Sequence, residues 1–250
     1  MARNDKEFII QEYKKVKALG WVKSNRKNNT GIGKTFEDYI GVVENNLEEP
    51  DLAGFEIKSH RAEASSYVTL FTKAPNFPNQ ANAYLNSRFG TPYEENPSLN
   101  KLHTSMFATK YNTYGGKYSF RLINDKKLRV LKIGVYDINT HELIDDRAGY
   151  TYECLSTVLR KKLKNLFYVS AQRRFNGMNE EFYFNHAEIY TEPSLDKLIE
   201  LIDKGLIMYD IRIGSYQSGA NYGKPHDHGS GFRILEGNIH LLYSNKEVVD

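Results

Sequence analysis

The sequence has almost no cysteine and no long apolar run. Its single cysteine, Cys154, excludes an internal disulfide bond and any zinc site built from several cysteines. That usage is typical of a reducing compartment, so we expect a cytoplasmic protein. No apolar stretch approaches the ~20 residues of a membrane-spanning helix. The polar residues at the start of the chain contain no signal-peptide core, so we do not expect secretion.

The chain also has little excess charge. Its 34 Lys and Arg residues nearly balance 31 Asp and Glu residues, which leaves a net charge of +3. The basic residues are nevertheless segregated, because residues 14–35 contain seven of them and no acidic residue. A second basic run covers residues 160–164 and is followed by Arg173 and Arg174. Such segregation favours a face that binds phosphates, although solvated helix faces would give the same pattern.

Hydrophobic periodicity predicts helices flanking a mixed central sheet, an α/β or α+β fold. Helical spacing occurs over residues 5–19, 36–47 (capped by Thr35), 152–163 and 194–203. Strand-like runs cover 55–58, 67–72, 118–123, 128–138, 166–175, 182–190, 207–216 and 232–235. Residues 73–114 are rich in Asn, Pro, Gly and Ser, and this predicts a partly ordered inserted arm.

The stretch that could carry chemistry is the alternating run 55–58. Its period of two places Glu56 and Lys58 on one face of a strand, opposite two apolar side chains. Asp51, which precedes the flexible Gly54, could return to the same face. Two carboxylates beside an ammonium group suit a divalent ion such as Mg²⁺ and a phosphate. An edge strand with an exposed Glu–Lys pair is the alternative.

The basic loop 23–35 ends like a phosphate-binding P-loop. The full motif requires a glycine where this chain has Asn28, and a buried strand upstream, so nucleotide binding is disfavoured. We interpret the loop as a cationic segment at a helix N-terminus. It could bring Lys27 and Lys34 to a DNA phosphate, or position Glu37 in the first helical turn.

Residues 216–229 form a second polar loop, which contains several glycines and is therefore flexible. His226 and His228 could ligate zinc, but no cysteine or further histidine at helical spacing completes such a site. Polar side chains of this kind match the donors and acceptors of base edges in a major groove, while an ordinary surface loop remains the alternative. The candidate DNA contacts here are Asp210, Arg212, Tyr216, Lys224, His226, Asp227, His228 and Arg233. Further candidates are His60 and Arg61, which would lie near a cleaved phosphate or form a solvated strand end.

Five segments together resemble the MvaI/BcnI group of type II restriction endonucleases, MutH-like members of the PD-(D/E)xK nuclease superfamily. They occur in the family's order at residues 29–38, 50–58, 210–214, 226–229 and 232–234. The resemblance implies a PD-(D/E)xK fold with a second, smaller DNA-recognition lobe. We accordingly expect a catalytic lobe over residues 1–75 and parts of 115–190, an inserted arm at 76–114, and a recognition lobe at 191–250.

The resemblance also implies roles for particular residues. Asp51, Glu56 and Glu37 would hold Mg²⁺, which we expect Mn²⁺ to replace, and Lys58 would assist the attacking water. Bases would be read by Asp210, Arg212, His226, His228 and Arg233.

The resemblance also implies how the enzyme would act on DNA. The enzyme would cut double-stranded DNA at a short pseudopalindrome of the CCNGG type, as a monomer that cuts one strand at a time. We expect no nucleotide cofactor, and a cognate DNA methyltransferase in the same restriction–modification system. The competing hypotheses are a MutH-type nicking enzyme of mismatch repair and a non-catalytic DNA-binding protein.

Overall fold

The computed structural model describes residues 5–27, 31–42, 52–61 and 66–249. These form a mixed α+β fold, as predicted, in two compact units. Unit 1 comprises residues 1–66, 159–194 and 243–250, and unit 2 comprises 67–158 and 195–242. No helix among the described residues is long and apolar enough to cross a membrane.

In chain order the elements are α1 (Asp5–Ala18), β1 (Trp21–Lys23), α2 (Gly31–Tyr39), β2 (Glu56–Arg61), β3 (Tyr67–Thr72), α3 (Ala81–Phe89), β4 (Thr91–Pro92), β5 (Asn100–Met106), β6 (Tyr118–Asp125), β7 (Val130–Asp137), β8 (Leu143–Thr151), α4 (Tyr152–Lys162), β9 (Asn165–Asn176), β10 (Asn179–Pro193), α5 (Leu195–Asp203), β11 (Ile207–Ser215), β12 (Pro225–Asp227), β13 (Gly231–Leu235) and β14 (Tyr243–Val249). Two 3₁₀ helices lie at Gly219–Asn221 and Glu236–Leu242.

Unit 1 is built on a five-stranded sheet in the order β1-β10-β9-β2, with β14 also paired to β10. Strand β2 runs parallel to β9, whereas the other pairs are antiparallel. Helix α1 buries Ile9, Tyr13 and Val16, the spacing of one apolar helix face. The Tyr13 ring lies 5.8 Å from that of Phe167 on β9. One face of the sheet is thus packed in a core, which fixes the register of β2 and its polar face.

Helix α2 begins earlier than predicted. Thr35 is fully buried inside it, and its Oγ1 accepts a hydrogen bond from the backbone N–H of Asn25 at 2.9 Å. The predicted N-terminal cap at Thr35 is therefore wrong, and the helix starts at Gly31. A Cβ at Gly31 would clash with the Arg26 carbonyl oxygen, so only glycine allows this close approach. The predicted continuation over residues 43–47 lies outside the described residues.

Unit 2 contains a sheet in the order β3-β13-β11-β5-β4, with β12 paired to β11, and a three-stranded sheet β6-β7-β8. Its core includes three fully buried rings, those of Tyr150, Tyr209 and Phe232. Their centroids lie 5.1–5.6 Å apart, the range in which aromatic pairs add stability beyond their buried area.

The structure differs from the sequence prediction in how the middle of the chain is organised. Residues 76–114 contain α3 and the inner strand β5, and they belong to unit 2. Strand β8 was not predicted, because register shifts against β7 interrupt its alternation. The part of 115–190 that falls in unit 1 is 159–190, whereas residues 67–75 fall in unit 2, residues 191–194 fall in unit 1, and the chain returns to unit 1 at Tyr243.

Candidate active site and nucleic-acid interface

The strand predicted over residues 55–58 is confirmed as β2, which begins at Glu56. Phe55 and Ile57 are buried, at 5% and 4% exposure. Glu56 and Lys58 lie on the other face, where Nζ of Lys58 is 3.1 Å from Oε1 of Glu56. Their side chains are only 14% and 16% exposed. A solvated edge pair would be far more exposed, so this carboxylate and ammonium form a sheltered pair.

A tight turn leads into this strand. Leu52 and Phe55 exchange backbone hydrogen bonds of 3.1 and 2.8 Å. The two central residues, Ala53 and Gly54, both have positive φ, 51° and 77°, as in a type I′ turn. The side-chain amide of Asn165 donates to the Gly54 carbonyl oxygen at 3.1 Å. Glu56 therefore follows a turn that is held from within and from the neighbouring strand.

Of the other two predicted metal ligands, the structure describes only Glu37. Glu37 lies on α2, which packs against β2. Asp51 lies outside the described residues. Within the described part of the chain, no three His, Cys, Asp or Glu side chains are grouped as metal ligands.

A further carboxylate, missed in the sequence, lies on the same face of the sheet as Lys58. Lys58 is registered with Tyr168 on β9, which is registered with Glu188 on β10. Burial raises the pKa of Glu188, but hydrogen bonds outweigh burial and bring it to about 2. The donors are Lys246 (2.7 Å), His186 (3.1 Å) and Tyr190. Alternation of polar and apolar residues over 186–190 was the signal that could have indicated this group.

His60 and Arg61, the two residues predicted near the phosphate, point to opposite faces of β2. His60 is on the Lys58 face, and its ring stacks on Tyr168 at 4.5 Å. Burial lowers the pKa of His60 to about 4, so the imidazole is neutral at pH 7. Arg61 faces the helices and forms an ion pair of 3.0 Å with Glu180. His60 can therefore donate a hydrogen bond without bringing a charge, and Arg61 is held within unit 1.

The basic loop is attached to α2. Lys34 lies within the helix and pairs with Asp38 at 2.8 Å. The side-chain amide of Asn25 donates to the same carboxylate at 2.9 Å. Lys27 is exposed at the end of the described part of this loop. Of the two predicted phosphate contacts, Lys27 is directed to solvent and Lys34 is engaged with its own helix.

In unit 2, one buried carboxylate organises two arginines. Asp210 is 4% exposed, and its Oδ2 accepts hydrogen bonds from Nε of Arg212 at 2.6 Å and Nε of Arg233 at 2.8 Å. Its Oδ1 accepts from the Ser105 hydroxyl at 3.0 Å. The Arg233 guanidinium also donates from Nη1 to Thr69 at 2.5 Å. Asp210 thus fixes both guanidinium groups through Nε, and Thr69 also engages Nη1 of Arg233.

The histidines of the polar loop gather beside Arg212. The backbone N–H of His228 donates to the Arg212 carbonyl oxygen at 2.8 Å. The His228 ring lies 4.1 Å from that of His226, which stacks on Tyr216 at 4.2 Å. On the other side of β11, His103 is registered with Arg212, and its ring lies 5.8 Å from that of His228. His103 is not among the predicted site residues, because the sequence of the surrounding segment does not predict a strand.

Two other predicted contacts have structural partners. The Asp227 carboxylate accepts hydrogen bonds from the Asn82 side chain at 2.6 Å and from the backbone N–H groups of Gly229 and Ser230 at 2.9 and 2.7 Å. Asp227 thus shapes the loop. Lys224 is exposed and donates to Asn221 Oδ1 at 3.1 Å.

The model of the MvaI/BcnI restriction endonuclease family matches residues 10–243. The chain belongs to this family. Among solved structures it is similar to restriction endonuclease MvaI in a complex with its cognate DNA substrate, with a TM-score of 0.86, 34% identity and 100% of both chains covered. It is also similar to MvaI in the absence of DNA, with a TM-score of 0.68, 33% identity, and 100% of this chain and 99% of that chain covered. No curated protein sequence matches the chain.

Membership of the MvaI/BcnI family confirms the resemblance found in the sequence and makes this protein a site-specific DNA nuclease. The matched residues include both the Glu56–Lys58 pair of unit 1 and the arginines around Asp210 in unit 2. A sheltered ammonium beside a carboxylate suits phosphodiester chemistry, and oriented guanidinium groups suit hydrogen bonding to base edges.

Proposed function

We propose that the enzyme hydrolyses phosphodiester bonds of double-stranded DNA with Mg²⁺, at a short pseudopalindromic site of the CCNGG type. The observation that carries the proposal is the 3.1 Å contact between Lys58 and Glu56 on β2. A nuclease needs a metal-binding carboxylate and a cation at one phosphate, and this pair supplies both side chains on one sheltered strand face.

The residues that would hold the metal are Glu56, Glu37 and Asp51. All three carry carboxylate oxygens, the hard ligands that Mg²⁺ prefers, and the donor set contains no sulfur. When bound, the ion would make a water molecule nucleophilic and neutralise charge on the phosphate. Mn²⁺ accepts the same ligands, so we expect it to support cleavage.

Lys58 has a separate role. Its ammonium group can donate a hydrogen bond to the attacking water or to a phosphate oxygen as negative charge develops there. Glu56 holds this ammonium at 3.1 Å, and only 16% of the lysine side chain is exposed. Partial exclusion of water strengthens such electrostatic stabilisation.

Site recognition would come from unit 2. Asp210 engages Nε of both Arg212 and Arg233, and guanidinium groups are the side chains that most often contact guanine O6 and N7. His226 and His228 lie beside Arg212 and add further ring nitrogens to the same surface. A guanidinium pair of this kind is consistent with the guanines of a CCNGG-type site.

The enzyme would act as a monomer. One chain carries one Glu56–Lys58 pair, so each binding event would cut one strand, and the second strand would be cut after rebinding in the opposite orientation. We further propose a cytoplasmic restriction–modification system in which a cognate DNA methyltransferase protects the host sites. No nucleotide cofactor is required.

Digestion of supercoiled plasmid with Mg²⁺ tests the proposal. Wild-type protein should produce nicked and then linear DNA with reproducible ends, and Mn²⁺ should replace Mg²⁺. Glu56→Ala should abolish cleavage but not DNA binding, whereas Glu153→Ala, an exposed change on α4, should leave cleavage unchanged. Fragments that persist with Glu56→Ala would refute the assignment. Nicked circles that never become linear would indicate a MutH-type enzyme, and binding without cleavage under any divalent ion a non-catalytic protein.

A further inference from the structure

Strand β5 adds a histidine to the face of the sheet that carries Asp210 and Arg212. His103 is registered with Arg212 across the antiparallel β5–β11 pair. Ser105 is registered with Asp210, and its hydroxyl group donates to Oδ1 of that carboxylate at 3.0 Å. Registered residues lie on one face of a sheet, so His103 shares the face of Arg212. We call the predicted contacts on and beside this face the candidate base-reading surface. They are Asp210, Arg212, His226, His228 and Arg233.

The His103 side chain lies among cationic and imidazole groups. Its ring is 5.8 Å from that of His228. Partial burial lowers the pKa of this imidazole, and the neighbouring His228, Lys101 and Arg212 lower it further. The imidazole is therefore neutral at pH 7. A neutral imidazole has one N–H donor and one nitrogen acceptor, so His103 can form hydrogen bonds without adding a charge to the surface.

The hydrogen-bonding capacity of His103 is not used within the protein. The side chain is exposed, and neither ring nitrogen forms a hydrogen bond with any residue that the structure describes. By contrast, the hydroxyl group of Ser105 on the same strand face is bonded to Asp210. A histidine that served only the fold would be expected to have its ring nitrogens satisfied by protein groups. The ring nitrogens of His103 are thus available to a ligand that approaches this face.

The strand pairing also indicates how far a contact of His103 would lie from one of Arg212. Neighbouring strands of a sheet are about 4.8 Å apart, and successive base pairs of a duplex are about 3.4 Å apart along its axis. His103 and Arg212 are opposite each other on neighbouring strands. Their side chains can therefore reach base edges that are one or two base-pair steps apart.

We propose that His103 is a specificity-determining residue that hydrogen-bonds a base edge within two base pairs of the base read by Arg212. The inference rests on the proposed function and adds a contact from β5 to it. Base pairs differ in the donors and acceptors that they present in the major groove. The wrong base pair leaves a buried donor or acceptor without a partner, and this penalty is the source of discrimination.

Binding to a set of altered duplexes tests the assignment. The cleavage site is mapped from fragment ends, and each of its base pairs is replaced singly. Affinity is measured in EDTA for wild type, His103→Ala and the control His240→Ala, which changes an exposed histidine of the same unit. Wild type should lose about 5- to 150-fold in affinity for each replaced base pair that it reads.

The two variants should differ in this assay. His103→Ala should lose discrimination at one base pair, or at two that the pseudosymmetry of the site relates, and keep it at the others. The affected position should lie within two base pairs of the position at which Arg212→Lys loses discrimination. His240→Ala should keep discrimination at every position. Unchanged discrimination in His103→Ala, a loss at every position, or an affected position further from that of Arg212 would overturn the proposal.

His103→Phe separates hydrogen bonding from packing. Phenylalanine keeps a ring beside His228 but has no nitrogen, so this variant should behave like His103→Ala. Wild-type discrimination in His103→Phe would show that the ring acts by packing, and the proposal would be wrong. If wild type itself binds all the duplexes equally, site-specific recognition fails. That result concerns the proposed function and is distinguishable from the others, because it does not depend on any change at His103.

Discussion

The hydroxyl group of Tyr93 occupies the space that a Cβ atom on Gly214 would need, and it accepts a hydrogen bond from the Ser215 backbone N–H at 3.2 Å. Nε2 of His228 lies 3.5 Å from the same point. Since Gly214 follows Arg212 by two residues on β11, the missing side chain lets Tyr93 and His228 pack beside the arginine. Gly214 therefore helps to shape the candidate base-reading surface.

Gly214→Ala should displace the Tyr93 hydroxyl group, whereas His228 at 3.5 Å would stay in ordinary van der Waals contact with the added methyl group. We expect it to lower the free energy of unfolding by about 1–3 kcal/mol, as overpacking does, and to weaken site-specific DNA binding more than non-specific binding. Gly237→Ala is the control, since no atom lies within 4 Å of a Cβ there. Urea unfolding and binding to specific and unrelated duplexes measure both effects. Equal behaviour of the two variants would show that the surface tolerates a methyl group at Gly214.

The turn before β2 allows a stabilising change. Ala53 has φ of 51°, a conformation that costs a residue with a Cβ about 1–2 kcal/mol. Asparagine tolerates positive φ, and Asn-Gly is the favoured pair for this kind of turn. Ala53→Asn should therefore raise the free energy of unfolding by about 0.5–1 kcal/mol.

The control for this change is Ala18→Asn, at the exposed last residue of α1. Asparagine is a poorer helix former than alanine, so no gain is expected there. Urea titration at pH 7 measures both variants. A loss of stability for Ala53→Asn would mean that the methyl group of Ala53 makes contacts worth more than the backbone strain.

The parts of the structure that the sequence predicted are those with local, periodic signals. Alternation alone placed Glu56 and Lys58 on one face of β2, and the burial of Ile57 and Phe55 agrees. The Asp210–Arg212 pairing also follows from strand spacing. By contrast, Asp210 meets Arg233, and Asn165 meets Gly54, only because distant strands pair. No local pattern carries that information.

The failures have equally specific causes. Thr35 has the residue type of a helix cap, but its hydroxyl group is used inside α2 to hold Asn25. The segment 73–114 lacks periodicity because α3 and β5 are short and joined by irregular chain, although tertiary packing makes β5 an inner strand. In both places tertiary contacts outweighed local preference.

Arg233→Lys separates the charge of this residue from its geometry. The lysine keeps the positive charge but cannot donate to both Asp210 and Thr69 as the guanidinium does. We expect a loss of about 1–3 kcal/mol in binding to the specific site. The slope of binding against salt should not change, because no phosphate contact is removed.

Arg88→Lys, an exposed change on α3, is the matched control for Arg233→Lys and should alter neither quantity. Fluorescence anisotropy with a specific and an unrelated duplex gives the ratio of affinities for both variants. If Arg233→Lys weakens the two duplexes equally, Arg233 acts as a general cation and not in base reading.

His60 predicts how stability depends on pH. Burial lowers its pKa from 6.5 to about 4, so the folded protein keeps the imidazole neutral where the unfolded chain takes up a proton. The stabilising effect of this neutral ring is complete above pH 6.5 and is lost as the pH falls from 6.5 towards 4. His60→Phe retains a ring that can stack on Tyr168 but cannot titrate. The free energy of unfolding should therefore fall less steeply with decreasing pH in this variant than in wild type.

The interval from pH 6.5 to 4.5 isolates the effect of His60. Below pH 4.5, Glu188 also takes up a proton on unfolding, because its pKa is lowered from 4.5 to about 2 in the folded protein. This makes the free energy of unfolding fall more steeply with decreasing pH in both proteins. Burial also lowers the pKa of His103, and this contribution is common to both. Urea unfolding at half-unit steps of pH gives the two slopes, with His240→Phe, an exposed position, as the control. Identical slopes for wild type and His60→Phe would mean that His60 has the same pKa in the folded and the unfolded protein, and below pH 6.5 it could then bring a positive charge to the phosphate.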